Sequence, residues 1–413
     1  MKILIAAASF ASRMSGLQRH ALNVVRCLLP IAEISALHLV VAPWQRDMLQ
    51  AAGLHSDGRL VTHIANMNRS SLSRNLWYYR ELPQLAAHLR TDVVHLSYPM
   101  PVNTAAFTCP TVVTLHDLYP YEIPMNFGFP KFIFNRLVLQ QCLRGVDAIA
   151  CVSGTTLNRL RQYTPANVWQ KAMRIYNCIE SESAGDVMPP IPGWQGGEFL
   201  LCVAQHRHNK NIPLLIRTFA SMLRAGQHSG DMKLVIVGIT GPETPKIHRL
   251  VSTLGLGENV CFLEGVSDAE LQWCYAQCEA VVCPSSAEGF GLPVAEARLA
   301  GCRVVCSDIS AFREVGDGEC RYVALDTAAE KTLAAAIIAS LKRPKPSPTS
   351  LPQFSAPVVA EQYTSLYRRL VANALPPGNA GGAVSLKAAT SDRAPSYEGT
   401  EQRISHAAQG GES

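Results

Sequence analysis

Glu288 and Glu296 are separated by seven residues in "AEGFGLPVAEARLAG", and Gly289, Phe290, Gly291 and Pro293 lie between them. Two carboxylates around a glycine turn that opens into a helix suit a ligand with hydroxyls at both ends and negative charge in the middle. Pro293 fits the first helical position, where a missing N–H costs nothing. The free N–H groups behind it, with the helix dipole, favour a phosphate, and the glycines let the backbone approach closely. Glu296, placed in the first turn, would repel a phosphate it touched, so its natural partner is a diol such as a ribose. Glu288, ahead of the turn, would face whatever the phosphate carries. Taken alone, the pair also allows a plainer reading, with Glu296 complementing the dipole and Glu288 solvated.

Three other segments end apolar runs with polar side chains. In "CVAQHRHNKNIPLL" a strand stops at Ala204, and His206, Arg207, His208 and Lys210 lead into a helix. Cations there would hold a diphosphate and neutralise the charge that builds as it leaves; a solvated basic loop is the alternative. In "TVVTLHDLYPYEIP", His116 and Asp117 follow an apolar strand. A histidine at such an edge can exchange hydrogen bonds with a substrate hydroxyl near neutral pH, or be satisfied by local backbone. The first loop, "AAASFASRMSGLQRH", has the single glycine Gly16 and no G-x-G-x-x-G. That absence counts against a nicotinamide or flavin site.

The elements that must position these groups are visible as two series of short apolar runs. "KILIAA", "LHLVVAP", "DVVHLSY", "TVVTLHD", "AIACVS" and "RIYNCI" come first; "FLLCVA", "KLVIVG", "VCFLEGV", "AVVCPS", "RVVCSD" and "RYVALD" follow. Helical patterns such as "LQRHALNVVRCL" and "NIPLLIRTFASMLRA" fill the gaps. Alternating β and α segments predict parallel sheets covered on both faces, and two series predict two doubly wound domains. In such sheets ligands bind at the carboxyl ends of the strands, where all four segments above fall. The stretch 180–197 is rich in Pro, Gly, Ser and acids and reads as the boundary; 342–353 is a second, proline-dense break. Beyond it, Val359, Tyr363, Leu366 and Leu370 share one helical face.

Composition sets the outer bounds. A chain of 413 residues is too long for one ordinary core. Its 48% hydrophobic and 17% charged content suits buried sheets, the charge falling below the roughly 25% of ordinary soluble proteins. A net charge of +5 without a basic stripe excludes a dedicated nucleic-acid binder. The 13 cysteines are scattered, several inside strand-like runs, and Cys274/Cys278 and Cys302/Cys306 lack the partners of a zinc site. We expect reduced thiols in a cytoplasmic protein. "MKILIAAASFASRMSG" has the outline of a short leader, but a first strand entering a βα unit is the preferred reading. No apolar run reaches the ~18 residues of a membrane span.

Together these residues resemble the family 4 retaining glycosyltransferases of the GT-B fold, over most of residues 1–373. "AEGFGLPVAEARLAGCRVV" resembles their E-x7-E signature, "VAQHRHNKN" their phosphate loop, "VTLHDL" their His-Asp strand end, and "FLEGVSDAELQWCYAQCEAVVCPSS" the approach to the signature. The resemblance implies an α/β, GT-B architecture of two Rossmann-like domains facing across a cleft. Residues 1–181 would form the acceptor-side domain, 182–197 a linker and 198–350 the nucleotide-sugar domain. Residues 351–375 would form a crossover helix packing back on the first domain, and 376–413 a disordered tail.

It also implies roles. Glu296 would hold ribose, Glu288 the donor sugar beside the reacting carbon, and the backbone of Phe290, Gly291 and Leu292 the sugar and diphosphate. Lys210 would grip the leaving group, Gly16 would add N–H contacts, His116 would lie near the donor sugar, and Asp117 would support that site or the acceptor pocket. The donor would be a nucleotide-diphosphate sugar, UDP- or GDP-linked, with no metal or other cofactor. The acceptor would be a glycan or lipid-linked hydroxyl in cell-surface polysaccharide synthesis, reached in the cytoplasm or peripherally at the inner membrane surface. The segment 130–145 is either an N-domain core helix or an interfacial one. Where the phosphate loop of the family begins Gly-Arg, this chain has Ala204 and Gln205, and Arg207 or a histidine is expected to supply the missing cation. A GT-B epimerase and a non-catalytic sugar-nucleotide-binding partner are the rival readings.

Overall fold

The computed structural model describes residues 1–11, 15–47, 57–179, 187–226 and 231–374. Among the described residues, thirteen strands form two wholly parallel sheets. The first contains β1 (Lys2–Ala6), β2 (Ala36–Val41), β3 (Leu60–Ile64), β4 (Val93–Leu96), β5 (Thr111–Leu115), β6 (Ala148–Cys151) and β7 (Ala172–Arg174), in the order β3-β2-β1-β4-β5-β6-β7. The second contains β8 (Phe199–Val203), β9 (Lys233–Val237), β10 (Val260–Leu263), β11 (Ala280–Cys283), β12 (Val304–Ser307) and β13 (Arg321–Val323), in the order β10-β9-β8-β11-β12-β13. This is the two-domain doubly wound architecture expected from the alternating apolar runs.

Strand alternation divides each core between two faces. Ile3 and Ile5 pack with Val24, Val25 and Leu28 of the helix Gly16–Leu28, whereas Leu4 and Ala6 pack on the other side with Trp77, Tyr78 and Leu82. The second sheet is likewise covered twice, by Phe219 and Ile337 on one face and Trp273, Tyr275 and Phe312 on the other. Burial on both faces explains why these strands read as continuous apolar runs. β3 has no counterpart among the expected runs. It is an edge strand whose residues are exposed or half-buried, so its apolar signal is weak.

The helix Ala356–Ala374 lays Val359, Ala360, Tyr363, Leu366 and Tyr367 into the same cluster as Ile3, Val25 and Ile175 of the first domain. Its Tyr367 hydroxyl lies 2.6 Å from Nδ1 of His95 on β4. The expected tail lies outside the described residues, as does the first part of the expected linker. The helix Lys131–Gly145 divides along its length. Leu139, Cys142 and Leu143 are buried, but Ile133, Phe134 and Leu137 are exposed, as are Met125 (70%) and Phe129 (81%) just before it. It is a core helix only in its second half.

In both sheets the strand order reverses, between β1 and β4 and between β8 and β11. The carboxyl ends at these points are where an open α/β sheet offers a crevice. The loops that leave them face each other across one cleft.

Candidate active site

β11 runs into a loop that ends at Gly291, which caps the helix Leu292–Leu299 with φ +104°. A side chain at Gly291 would be strained by that angle and would press within 2.8 Å of the Phe312 ring. The helix begins one residue earlier than the proline suggested. Pro293 is therefore second rather than first, and Glu296 opens the second turn instead of closing the first. Glu296 is buried, 9% exposed, at the wall of the cleft. One carboxylate oxygen accepts the Tyr275 hydroxyl at 2.7 Å, and the other lies 3.5 Å from Nη1 of Arg19. Burial raises its pKa, opposed by Arg19 and by the Tyr275 bond. Arg19 also pairs with Asp268 at the start of the helix Asp268–Gln277. Arg19 belongs to the first domain and both acids to the second, so this contact spans the cleft.

Glu288 sits on the other side of the turn. Its Oε1 is 2.6 Å from Nζ of Lys210, and its Oε2 accepts from the Tyr119 hydroxyl at 3.4 Å. Lys210 closes the single helical turn His208–Lys210 after β8. Between them Asn209 is fully buried; its amide donates to the Ala287 carbonyl at 3.0 Å and its carbonyl oxygen accepts from Asn126 at 3.1 Å. Asn209 and Tyr119 thus tie the loop after β8 to the first domain. His206 faces inward, its Nδ1 2.9 Å from the Thr244 hydroxyl. Of the four polar residues in this loop it supports the fold, while exposed Arg207 and half-buried Lys210 face the cleft.

From the first domain, Gly16 opens its helix behind the cap Ser15. His116 and Asp117 follow β5. The His116 Nε2 lies 2.9 Å from the Ser97 carbonyl, and burial lowers its pKa to about 4. A carbonyl only accepts, so Nε2 carries the proton and the neutral ring keeps Nδ1 as an acceptor. Asp117 accepts the Tyr119 backbone N–H at 3.0 Å, and burial raises its pKa to about 6 despite the positive field of Arg207. Gly289 explains how closely the domains approach. A Cβ there would stand 1.7 Å from the His116 carbonyl oxygen. Its own carbonyl accepts from Ser153 and, at 3.0 Å, from the Thr156 hydroxyl.

The result is a cleft of about 600 Å³. Gly16, His116, Asp117, Arg207, Lys210, Glu288, Phe290, Gly291, Leu292 and Glu296 all line it. The Phe290 side chain turns away to pack on Tyr176 and Phe354, leaving its backbone to the cleft. Sequence reading did not find Arg19, Tyr119, Asn177, Asn209 or Tyr275. Arg19 carried the best signal, a cation in the first turn of the helix that Gly16 opens; the others act through contacts between elements far apart in the chain. No group of three or more potential metal ligands occurs among the described residues. A cleft with a helix N-terminus, two cations and separate carboxylates at its two ends can bind a diphosphate flanked by hydroxylated rings.

Two Rossmann-like domains around such a cleft define the GT-B architecture. Residues 14–183 match the family model for glycosyltransferase family 4, and residues 189–351 the model for glycosyl transferases group 1. The chain belongs to glycosyltransferase family 4. It is similar to the O-antigen chain mannosyltransferase RfbU of Salmonella typhimurium, with 24% identity over 75% of this chain and 83% of that protein. It is also similar to the O-antigen chain mannosyltransferase B of Escherichia coli, with 26% identity over 76% and 84%. Among solved structures, WaaG, a glycosyltransferase of lipopolysaccharide biosynthesis, superposes with a TM-score of 0.62 at 16% identity, covering 90% of this chain and 98% of that one. Anabaena HepE in complex with UDP-glucose gives a TM-score of 0.61 at 17% identity, over 90% and 100%. The protein is a glycosyltransferase of polysaccharide synthesis. No described helix is long and apolar enough to cross a membrane.

Proposed function

We propose that this chain transfers a hexose, with retention and without metal, from a nucleotide-diphosphate sugar to a hydroxyl of a glycan or lipid-linked acceptor. The observation that carries the reading is the convergence of Lys210, Arg207 and the helix N-terminus at Gly291–Leu292 between Glu288 and Glu296. The mannosyltransferase names of the relatives support mannose as the sugar.

Glu296 would accept hydrogen bonds from the ribose hydroxyls. The N–H groups at the start of Leu292–Leu299 would meet the diphosphate, with Lys210 and Arg207 neutralising the charge that grows as the glycosidic C–O bond breaks. Arg207 then stands in for the cation missing at Gln205. A diphosphate entering here competes with Glu288 for Lys210, which frees Glu288 to hold a sugar hydroxyl beside the reacting carbon. The neutral His116 would accept a second sugar hydroxyl at Nδ1. Asp117 would support that contact or the acceptor. With helix dipole and cations in these positions, a divalent ion has no task left.

The exposed Met125, Phe129, Ile133, Phe134 and Leu137, beside Lys131 and with no acid in the helix Lys131–Gly145, support peripheral contact with an anionic bilayer carrying a lipid-linked acceptor.

The test is thermal stability of the purified chain with UDP, GDP, ADP, TDP and CMP in EDTA, followed by NMR of the anomeric proton of the product. One diphosphate should raise the melting temperature without metal, and Glu296→Gln and Lys210→Ala should reduce the shift. At ~100 times its dissociation constant a ligand adds ~2.7 kcal/mol. Stabilisation by no nucleotide would remove the donor site. Binding without turnover would favour the non-catalytic partner, and a product of inverted configuration would remove retention.

A further inference from the structure

The carboxyl end of β1 carries a second cluster outside the donor cleft. The Trp44 indole N–H donates to the Ser9 carbonyl at 2.9 Å, and the Tyr78 and Tyr98 hydroxyls donate to the Ala8 carbonyl, the former at 3.0 Å. These bonds fix the segment that presents Phe10, a residue 38% exposed. Two guanidiniums stack on the rings so placed: Arg74 lies 3.8 Å from the Phe10 centroid and Arg69 lies 5.3 Å from that of Trp44.

Neither arginine has an ion pair or a side-chain hydrogen bond among the described residues, and Nε of Arg74 is buried with no partner. A stacked guanidinium uses its face and leaves its N–H edge for an acceptor in its plane. Two such guanidiniums, five residues apart in the chain and each held by an aromatic ring of one loop cluster, with no carboxylate paired to either among the described residues, offer donors to an anion.

The cluster is wired to the cleft. The Ser9 hydroxyl accepts from the Gln18 amide, and Gln18 accepts from the backbone N–H of Ser15, a cleft residue. On the next strand, the Ser97 carbonyl that receives His116 precedes Tyr98. The two sites therefore share loops, on the domain opposite the one that supplies Lys210 and Glu288.

We propose that Arg69 and Arg74, stacked on Trp44 and Phe10, bind a phosphate or diphosphate group carried by the acceptor. The proposal rests on the glycosyl-transfer reading for calling the ligand an acceptor. The anion supplies affinity and orients the acceptor hydroxyl toward the cleft. Its carrier is either a lipid diphosphate or a phosphorylated glycan.

Quenching of tryptophan fluorescence tests this, using farnesyl diphosphate, mannose 6-phosphate and inorganic diphosphate as probes. Each is titrated with and without a saturating nucleoside diphosphate that fills the donor cleft. The variants are Arg69→Ala, which alters an exposed side chain, Arg74→Lys, and the two together. At least one probe should quench saturably with the donor cleft filled. Charge-assisted bonds of this kind lead us to expect binding at least about tenfold weaker in the double variant. The melting shift caused by the nucleoside diphosphate should stay as in the parent. Dependence on the arginines with farnesyl diphosphate alone assigns a lipid carrier, and with mannose 6-phosphate a phosphorylated glycan; equal binding of inorganic diphosphate shows that the anion suffices. No saturable quench at millimolar probe, or quenching indifferent to both arginines, overturns the site. Failure of every nucleotide to stabilise the chain strikes the donor reading and leaves this titration to be judged by itself.

Discussion

Replacing Arg19 by methionine tests how the two domains share the donor site. The methionine keeps much of the side-chain volume and removes the charge that faces Glu296 at 3.5 Å and pairs with Asp268. At an effective dielectric of ~20, two charges at that distance interact by about 5 kcal/mol before desolvation. The arginine side chain is 25% exposed and that of Glu296 10%, so water screens part of this. We expect a net loss of about 1–3 kcal/mol, or roughly 5- to 150-fold in nucleotide affinity. The pH dependence gives a sharper readout. Burial already raises the Glu296 pKa, and Arg19 holds it down. Without Arg19 the carboxyl protonates at higher pH and loses the negative charge proposed to bind a diol. Nucleoside-diphosphate affinity, measured by calorimetry from pH 5 to 8, should then fall off on the acid side at a higher pH in the variant. Asp268→Asn is the companion measurement. Asp268 is more exposed and lies outside the cleft, so its loss should cost less than about 1 kcal/mol. An Arg19→Met protein with parental affinity and an unmoved acid limb would refute the coupling, while Glu296→Gln would still report on the donor site.

Lys210→Ala should lower kcat by about 10²–10³, the usual effect of removing one donor to developing charge; single-turnover assays check it, and a change confined to KM would contradict the leaving-group role. Gly289→Ala puts a methyl where only 1.7 Å separates Cβ from the His116 carbonyl, so it should lower both the melting temperature and turnover; unchanged scattering profiles and activity would contradict the close approach. Burial lowers the pKa of His95 to about 3 and that of His116 to about 4, lowers that of His20 as well, and raises that of Asp117 to about 6. At pH 5 the unfolded chain binds two protons on His95 and His116 and the folded chain one on Asp117. These three groups should therefore make stability rise with pH by about 1–1.5 kcal/mol per unit near pH 5, with buried His20 acting in the same direction; the urea midpoint measures it, and a midpoint that does not move in a His95→Gln, His116→Gln comparison would argue against neutral burial. Phe129→Ser with Phe134→Ser should reduce sedimentation with phosphatidylglycerol vesicles without moving the melting temperature, since both rings are exposed.

Much of the architecture is written in local pattern. Strands such as Val304–Ser307 are buried on both faces and appear as unbroken apolar runs, whereas Leu60–Ile64, at an edge, has no such run. The positions of Glu288, Glu296, Lys210 and His116 follow from strand ends, because the carboxyl edge of a parallel sheet is where loops meet a ligand. What local pattern lacks is the join between the domains. Tyr119 with Glu288, Asn209 with Asn126, and Arg19 with Asp268 are partners 83 to 249 residues apart. Their pairing depends on how two independently formed sheets meet. The close approach of Gly291 to Phe312 belongs to the same category, since Gly291 caps one helix and Phe312 lies on another, and only the fold brings the ring within 2.8 Å of where a Cβ would stand.

The helix Ala356–Ala374 also sets a timetable for biosynthesis. The first sheet is complete in sequence once Arg174 has been made, yet its core cluster requires Val359, Tyr363 and Tyr367. At ~5–20 residues per second, those side chains arrive roughly 10–40 s later. Until then the groove beside Ile3, Val25 and Ile175 is uncovered on the nascent chain, exposed to chaperones and to other chains. A chain interrupted after the second sheet holds two assembled sheets and an unsealed first core, so the helix Ala356–Ala374 acts as the fastener that closes it.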